Sequence, residues 1–141
     1  MPEMPVPDRA VLDSSVIAAI FFKEDASARA LKSVAECDPF TLDLAICEVG
    51  NVAWKQVSFS GEDVERALDA LRDCLEFINT TCILLRSSNL LEEAFEIAVQ
   101  DKTSFYDSLF LAAAEKEHVP LLTLDKKLYN RVKETRDVRL V

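Results

Sequence analysis

Glycine is nearly absent: the 141 residues include only Gly50 and Gly61. Two isolated glycines cannot form a phosphate-cradling P-loop or a G-x-G-x-x-G dinucleotide turn, so nucleotide folds that depend on such loops are excluded. Histidine is scarcer still. His118 is the sole example, so a Ser-His-Asp or Cys-His triad would have to be built around it. At the end of the helical stretch "AAAEKEH" it suits a helix C-terminus instead. The four cysteines, Cys37, Cys47, Cys74 and Cys82, contain no C-x-x-C pair, and with one histidine they cannot make an ordinary Cys/His zinc site. They read as buried reduced thiols; a Cys74–Cys82 or Cys37–Cys47 bridge is expected only in a hyperthermophile. No apolar run approaches the roughly 18 residues of a membrane helix, and "MPEMPVPDR" lacks the layout of a signal peptide. These absences point to a cytoplasmic protein that does not engage the membrane.

Bases are in the minority, 16 against 25 acids, for a formal net charge of −9. Such a molecule repels nucleic acid as a whole, and contact with RNA or DNA requires a local basic patch or a bound cation. Half of the residues are hydrophobic and 29% are charged, as in a globular chain rather than a disordered one. The length fits one domain spanning 1–141, with the prolines of the first seven residues marking 1–8 as a loose arm.

Short β-rich runs alternate with longer runs of helical period, which predicts βαβ units and a mostly parallel sheet covered on both faces. Strands are expected at Ala10–Leu12, at Phe40–Leu42, in "CILLR", in "PLLTL" and, as a last edge strand, in "VRLV". Between them lie helices in "SSVIAAIFFK", "DASARALKSVAEC" from near Asp25, "DLAICEVGNVAWKQV", "DVERALDALRDCLEFI", "NLLEEAFEIAVQ", "SFYDSLFLAAAEKE" and "KKLYNRVKE".

Two strands, "AVLD" and "PLLTLD", end on bare aspartates, Asp13 and Asp125. In open α/β sheets ligands bind outside the carboxyl ends of the strands where the strand order reverses, so neighbouring strands would bring these two acids together. Each alone is an ordinary N-cap, and Asp43, closing "FTLD", is left as one. Glu48 has Leu44, Ala45, Asn51 and Val52 as its helical neighbours, a largely apolar face. Asp107 shares its side of a helix with Phe110, Leu111 and Ala114, although Ser104 and Asp107 also approximate a capping box. Carboxylates crowded into a poorly hydrated cleft need a positive partner. No lysine or arginine shares the face of Asp107, and Lys55 stands two turns beyond Glu48. A divalent cation with oxygen ligands, Mg²⁺ or Mn²⁺, is the economical compensation.

"VLDSSVIAAIF", "AICEVGNVAWK", "FYDSLFLAAAEK" and "LLTLDKKL", in this order, resemble the PIN domain, most closely the VapC-type toxin ribonucleases, over Ala10 to Leu140. The resemblance implies a three-layer α/β/α sandwich with strand order 3-2-1-4-5. It places Asp13, Glu48, Asp107 and Asp125 at the catalytic metal-site positions, with Ser14, Ser15 and Thr123 lining the site. Ser108 is a departure, since the family often has alanine after the third acid. The implied activity is Mg²⁺- or Mn²⁺-dependent hydrolysis of RNA phosphodiester bonds by water, leaving a 5′-phosphate and a 3′-hydroxyl. An antitoxin partner and a homodimer come with the family, and the Val64–Ile78 helix and "SSVIAAIFF" are the candidate surfaces for either interface.

Lys126, Lys127 and Arg131 are candidates for the RNA backbone, with Lys133, Arg136 and Arg139 beyond them. At least half of this basic stretch is expected to be a solvated face paired with Glu134 and Asp137. Receiver domains want a second acidic pair after strand 1 and aspartyl phosphatases want D-x-D; "LDSSV" supplies neither. A catalytically silent protein-binding domain is the rival of a different class.

Overall fold

The computed structural model describes residues 7–141. The elements run β1 (Arg9–Leu12), α1 (Ser14–Phe21), α2 (Ser27–Val34), β2 (Asp38–Leu42), α3 (Leu44–Ser58), α4 (Val64–Thr80) and β3 (Ile83–Leu85). A 3₁₀ turn (Ser87–Leu90) then leads to α5 (Leu91–Asp101), α6 (Phe105–Glu117), β4 (Leu121–Thr123), α7 (Lys126–Val132) and β5 (Val138–Leu140). The five strands form one sheet in the order β3-β2-β1-β4-β5, and every pairing is parallel. This is the α/β order that the resemblance implies. The strand order reverses at β1, and β1 and β4 are paired through Val11–Leu121 and Leu12–Leu122.

Parallel strands need cover on both faces. Helices α1 to α4 pack among themselves, whereas α5 packs on α6, and α6 lies along β1, β2 and β4. The core follows from this: Val11, Leu12, Val16, Ile17, Leu42, Val49, Ile78, Leu121 and Val132 are fully buried. At roughly 1.5–3 kcal/mol for each large aliphatic side chain, this cluster dominates the stabilisation of the sheet. Helix α6 is buried without a break from Ser108 to Ala114, which accounts for its sequence lacking a polar stripe.

Several boundaries differ from the sequence expectation. Helix α2 starts at Ser27 rather than near Asp25, because Glu24 and Ser27 close a turn through Ser27 N–H to Glu24 O and Glu24 N–H to Ser27 Oγ. It also stops at Val34, with the Cys37 N–H turned back onto the Val34 carbonyl. The helix expected in "NLLEEAFEIAVQ" opens as a 3₁₀ turn. His118 does end α6, but with its backbone: it is left-handed (φ 55°), and its N–H donates to the carbonyls of Ala114 and Glu115.

The cysteines follow the sequence reading in redox state and depart from it in burial. All four are free thiols, as expected; Cys37 and Cys74 are buried, whereas Cys82 is only partly buried and Cys47 is exposed because it lies on the solvent side of α3. Burial pushes the Cys74 and Cys82 thiols up to about 12. Of the loose arm expected at residues 1–8, residues 1–6 lie outside the described residues, and the Asp8 carbonyl accepts from Asp38 N–H. Among the described residues no helix is long and apolar enough to cross a membrane.

Candidate active site

The junction of β1 and α1 sets the first acid. Asp13 is the N-cap of α1 in an extended conformation, and its Oδ1 accepts from the Ser15 and Val16 N–H groups at 3.1 and 3.3 Å. The Ser15 hydroxyl donates to the same oxygen at 2.5 Å, and the Thr123 hydroxyl donates to Oδ2 at 2.5 Å. Asp13 is only 7% exposed. Burial raises its pKa to about 6 against the pull of these hydrogen bonds, and nearby Asp107 adds to the rise.

Strand β4 sets the second. Thr123 is fully buried, and its hydroxyl oxygen, besides donating to Asp13, accepts from Asp125 N–H at 3.0 Å. Ser15 Oγ accepts from Leu124 N–H at 3.0 Å. The ends of β1 and β4 are therefore stitched together by two hydroxyls. Asp125 is exposed and caps α7, Oδ1 accepting from Lys127 and Leu128 N–H at 2.9 and 3.1 Å. The cap reading holds for Asp13: its Oδ1 caps α1 while its Oδ2 accepts from Thr123 at the end of β4.

The two helical acids arrive from opposite sides of the sequence. Glu48, one turn into α3, is half-buried, and its Oε1 is buried without a hydrogen-bond partner. Desolvation raises its pKa, a hydrogen bond with Ser14 opposes the rise, and the charges of Asp13 and Asp107 add to it. Asp107 sits in the first turn of α6, where its N–H donates to the Ser104 hydroxyl at 3.1 Å, the N-cap half of a capping box. Burial raises its pKa too, with Ser104 opposing and Asp125 contributing. Asp107 thus interacts with Asp13, Glu48 and Asp125, and the last of these lies over a strand end from the far part of the chain. Ser108, the departure from the family pattern, is fully buried and bonds to the turn before α6. Its hydroxyl donates to the Ser104 carbonyl at 2.7 Å and bonds with Thr103 Oγ1 at 2.6 Å, bracing the turn into α6.

The residues fit a cation in composition and in charge. Among the described residues none of the four acids is in an ion pair; the pairs are Arg72–Asp69, Arg136–Asp101, Arg136–Glu115 and Arg139–Asp137. The orphaned Glu48 oxygen is an anionic ligand atom without a donor. As the side chains stand, no three of the described acids, histidines and cysteines are grouped closely enough to hold one ion.

Other sequence expectations resolve differently. Asp43 makes no side-chain cap on α3. Its Oδ1 accepts instead from the Ser87 N–H at 3.0 Å and from the Ser87 hydroxyl, fastening the exit of β3 beside that of β2. Lys126, Lys127 and Arg131 are exposed on α7. Arg136 leaves the basic stretch: Nε and Nη2 donate to the Asp101 carboxylate at 2.7 and 3.4 Å and Nη1 donates to Glu115 at 3.0 Å, not to Glu134. Recesses of about 290 and 530 Å³ adjoin this ion pair, away from the four acids. Phe105 and Tyr106, 37% and 60% exposed immediately before Asp107, carried no weight in the sequence. The consecutive aromatics in "FYD" were the available signal.

Comparison with known proteins agrees with this architecture. The family model described as "PIN domain" matches residues 10–134. The chain is 34% identical over 119 residues to Ribonuclease VapC3 of Pyrobaculum aerophilum, covering 84% of this chain and 90% of that protein. The crystal structure of PAE2754 from Pyrobaculum aerophilum superposes with a TM-score of 0.68 at 26% identity, over 89% of this chain and 80% of that one. A toxin–antitoxin complex from Klebsiella pneumoniae shares the fold, with a TM-score of 0.64 at 18% identity over 92% of this chain and 95% of that one.

Proposed function

The chain belongs to the PIN domain family, and we propose that it is a cytoplasmic, single-domain endoribonuclease that hydrolyses RNA phosphodiester bonds with a divalent metal, as the toxin of a toxin–antitoxin pair. The observation that carries this reading is Glu48 Oε1, an anionic oxygen buried without a donor beside the charges of Asp13 and Asp107. A structural carboxylate would have a donor there. In this reading Asp13, Glu48, Asp107 and Asp125 hold Mg²⁺ or Mn²⁺. The bound cation supplies a water of lowered pKa and a counter-charge for the phosphoryl oxygens.

The chain's own residues do the rest. Ser15 and Thr123 fix the Asp13 carboxylate from both sides, so its orientation is set before substrate arrives. Ser14 does the same for Glu48, and Ser104 for Asp107. Lys126 and Lys127, exposed beside Asp125, meet the RNA backbone, offsetting a molecule of net charge −9. An antitoxin and a second copy of the chain complete the assembly.

Incubation of the purified protein with defined RNAs, with Mg²⁺ or with EDTA, tests the reading. Internal cleavage that requires metal and is lost in Asp13→Asn supports it. Undiminished cleavage by Asp13→Asn at matched purity, or none by the parent, removes it. Calorimetry with Mn²⁺ decides against the silent binding domain if heat is released by the parent and not by Glu48→Gln.

A further inference from the structure

Helix α6 is buried from Ser108 onward, yet its first two residues are aromatic rings left in water, Tyr106 at 60% and Phe105 at 37% exposure. Neither ring serves the core cluster. Their centroids are 6.3 Å apart with planes tilted by 56°, so they are splayed and each keeps a face for a third ring. Tyr106 directly precedes Asp107, about 3.8 Å away between Cα atoms, and Asp107 acts electrostatically on Asp13 and Glu48 and feels Asp125. Exposed lysines adjoin the acids in sequence. Lys102, exposed in the left-handed turn before α6 (φ 58°), and Lys126 and Lys127, exposed beside Asp125, are in no ion pair among the described residues.

We propose that Tyr106, with Phe105 beside it, is the stacking platform for an unpaired base of the RNA strand, one nucleotide from the phosphate held at the acids, and so selects single-stranded substrate. This rests on the ribonuclease reading. Aromatic rings recognise bases by their faces, which a duplex keeps hidden in its own stack, whereas loops and single strands offer them freely. Lysines just before α6 and next to Asp125 suit the polyanionic backbone that must accompany such a base. An apolar protein partner would have no use for them.

The test is steady-state cleavage of single-stranded oligoribonucleotides in Mn²⁺, with 2-aminopurine next to the cut as a reporter of stacking. Tyr106→Ala should raise KM by roughly 5- to 100-fold with kcat within a few-fold, since stacking acts in ground and transition states alike. It should also abolish the quenching of 2-aminopurine fluorescence. Tyr106→Trp and Tyr106→Phe should restore both. An unchanged KM in Tyr106→Ala overturns the proposal, as does a Tyr106→Phe as impaired as the alanine variant, which would assign the effect to the hydroxyl. A Tyr106→Ala protein with normal KM but a later elution in size exclusion makes the face a contact between copies and likewise overturns it. Failure of the parent to cleave any RNA removes the ribonuclease reading and this one together; an active parent with an indifferent Tyr106→Ala removes this one alone.

Discussion

Thr123 Oγ1 stands 2.5 Å from Asp13 Oδ2 across the junction of β1 and β4, although 110 positions separate the two residues. The same hydroxyl accepts the Asp125 N–H, so one buried side chain orients one acid and anchors the backbone of another. Thr123→Val keeps the shape and removes both bonds. Stranding the buried Asp13 oxygen should cost about 1–3 kcal/mol and lower the melting temperature. The Asp13 pKa should rise further, and cleavage should fall by more than tenfold. Calorimetric unfolding and a cleavage assay check both. Valine with unchanged stability and activity would reduce the hydroxyl to filler.

That bond also marks what the sequence could reveal. "AVLD" and "PLLTLD" announce strands ending on acids because a buried parallel strand is a short apolar run and its exit needs a capping group. The parallel sheet follows from the alternation of such runs with helical periods. Asp43 ends a third strand in the same local pattern, yet it bonds Ser87, 44 positions away. Nothing within either segment encodes that distance. Similarly, Arg136 lies near Glu134 and Asp137 in sequence but pairs with Asp101 and Glu115, since the turn before β5 carries it to α5 and α6. Contacts made by tertiary approach leave no periodic signal, whereas caps and core faces do.

Asp13 makes the metal-free protein sensitive to pH in a defined direction. Its folded pKa of about 6 lies above the ordinary value of 3.8. Between these values the folded chain keeps a proton that the unfolded chain releases, so stability falls as pH rises from about 4 to about 6 and the full penalty persists above that. A rise of about two units corresponds to about 3 kcal/mol. In EDTA, Asp13→Asn should therefore be more stable than the parent at pH 7.5, and the advantage should shrink toward pH 4. Denaturant unfolding at the two values decides it. An advantage that does not change with pH would mean that ionised Asp13 costs the fold nothing.

Metal affinity should follow the same groups with the opposite slope. Asp13, Glu48 and Asp107 all have raised pKa values, burial being the first cause in each case, and a protonated carboxyl is a poor ligand. Mn²⁺ binding measured by calorimetry should weaken steeply as pH is lowered from 8 through about 6. Glu48→Gln should weaken it at least tenfold while sparing the fold, because its buried Oε1 makes no hydrogen bond to lose. Affinity independent of pH in this range would place the metal elsewhere.

Two of the four arginine pairs should differ widely in cost when broken. Arg72 and Asp69 are 62% and 71% exposed one turn apart on α4, so solvent screens their attraction and Arg72→Ala should change stability by less than about 0.5 kcal/mol. Arg136 and Asp101 have side chains only 14% and 9% exposed, and they join α5 to the turn before β5. Arg136→Ala strands the Asp101 carboxylate in a poorly hydrated place, at a cost of about 3–5 kcal/mol. Because α5 leads through Lys102 and Thr103 to the Ser104 cap beneath Asp107, the loosened end should also depress cleavage. Arg136→Ala/Asp101→Asn should recover part of the lost stability, since the second change removes the stranded charge. A double variant no more stable than Arg136→Ala would show that lost packing, rather than an unpaired carboxylate, is the source of the damage.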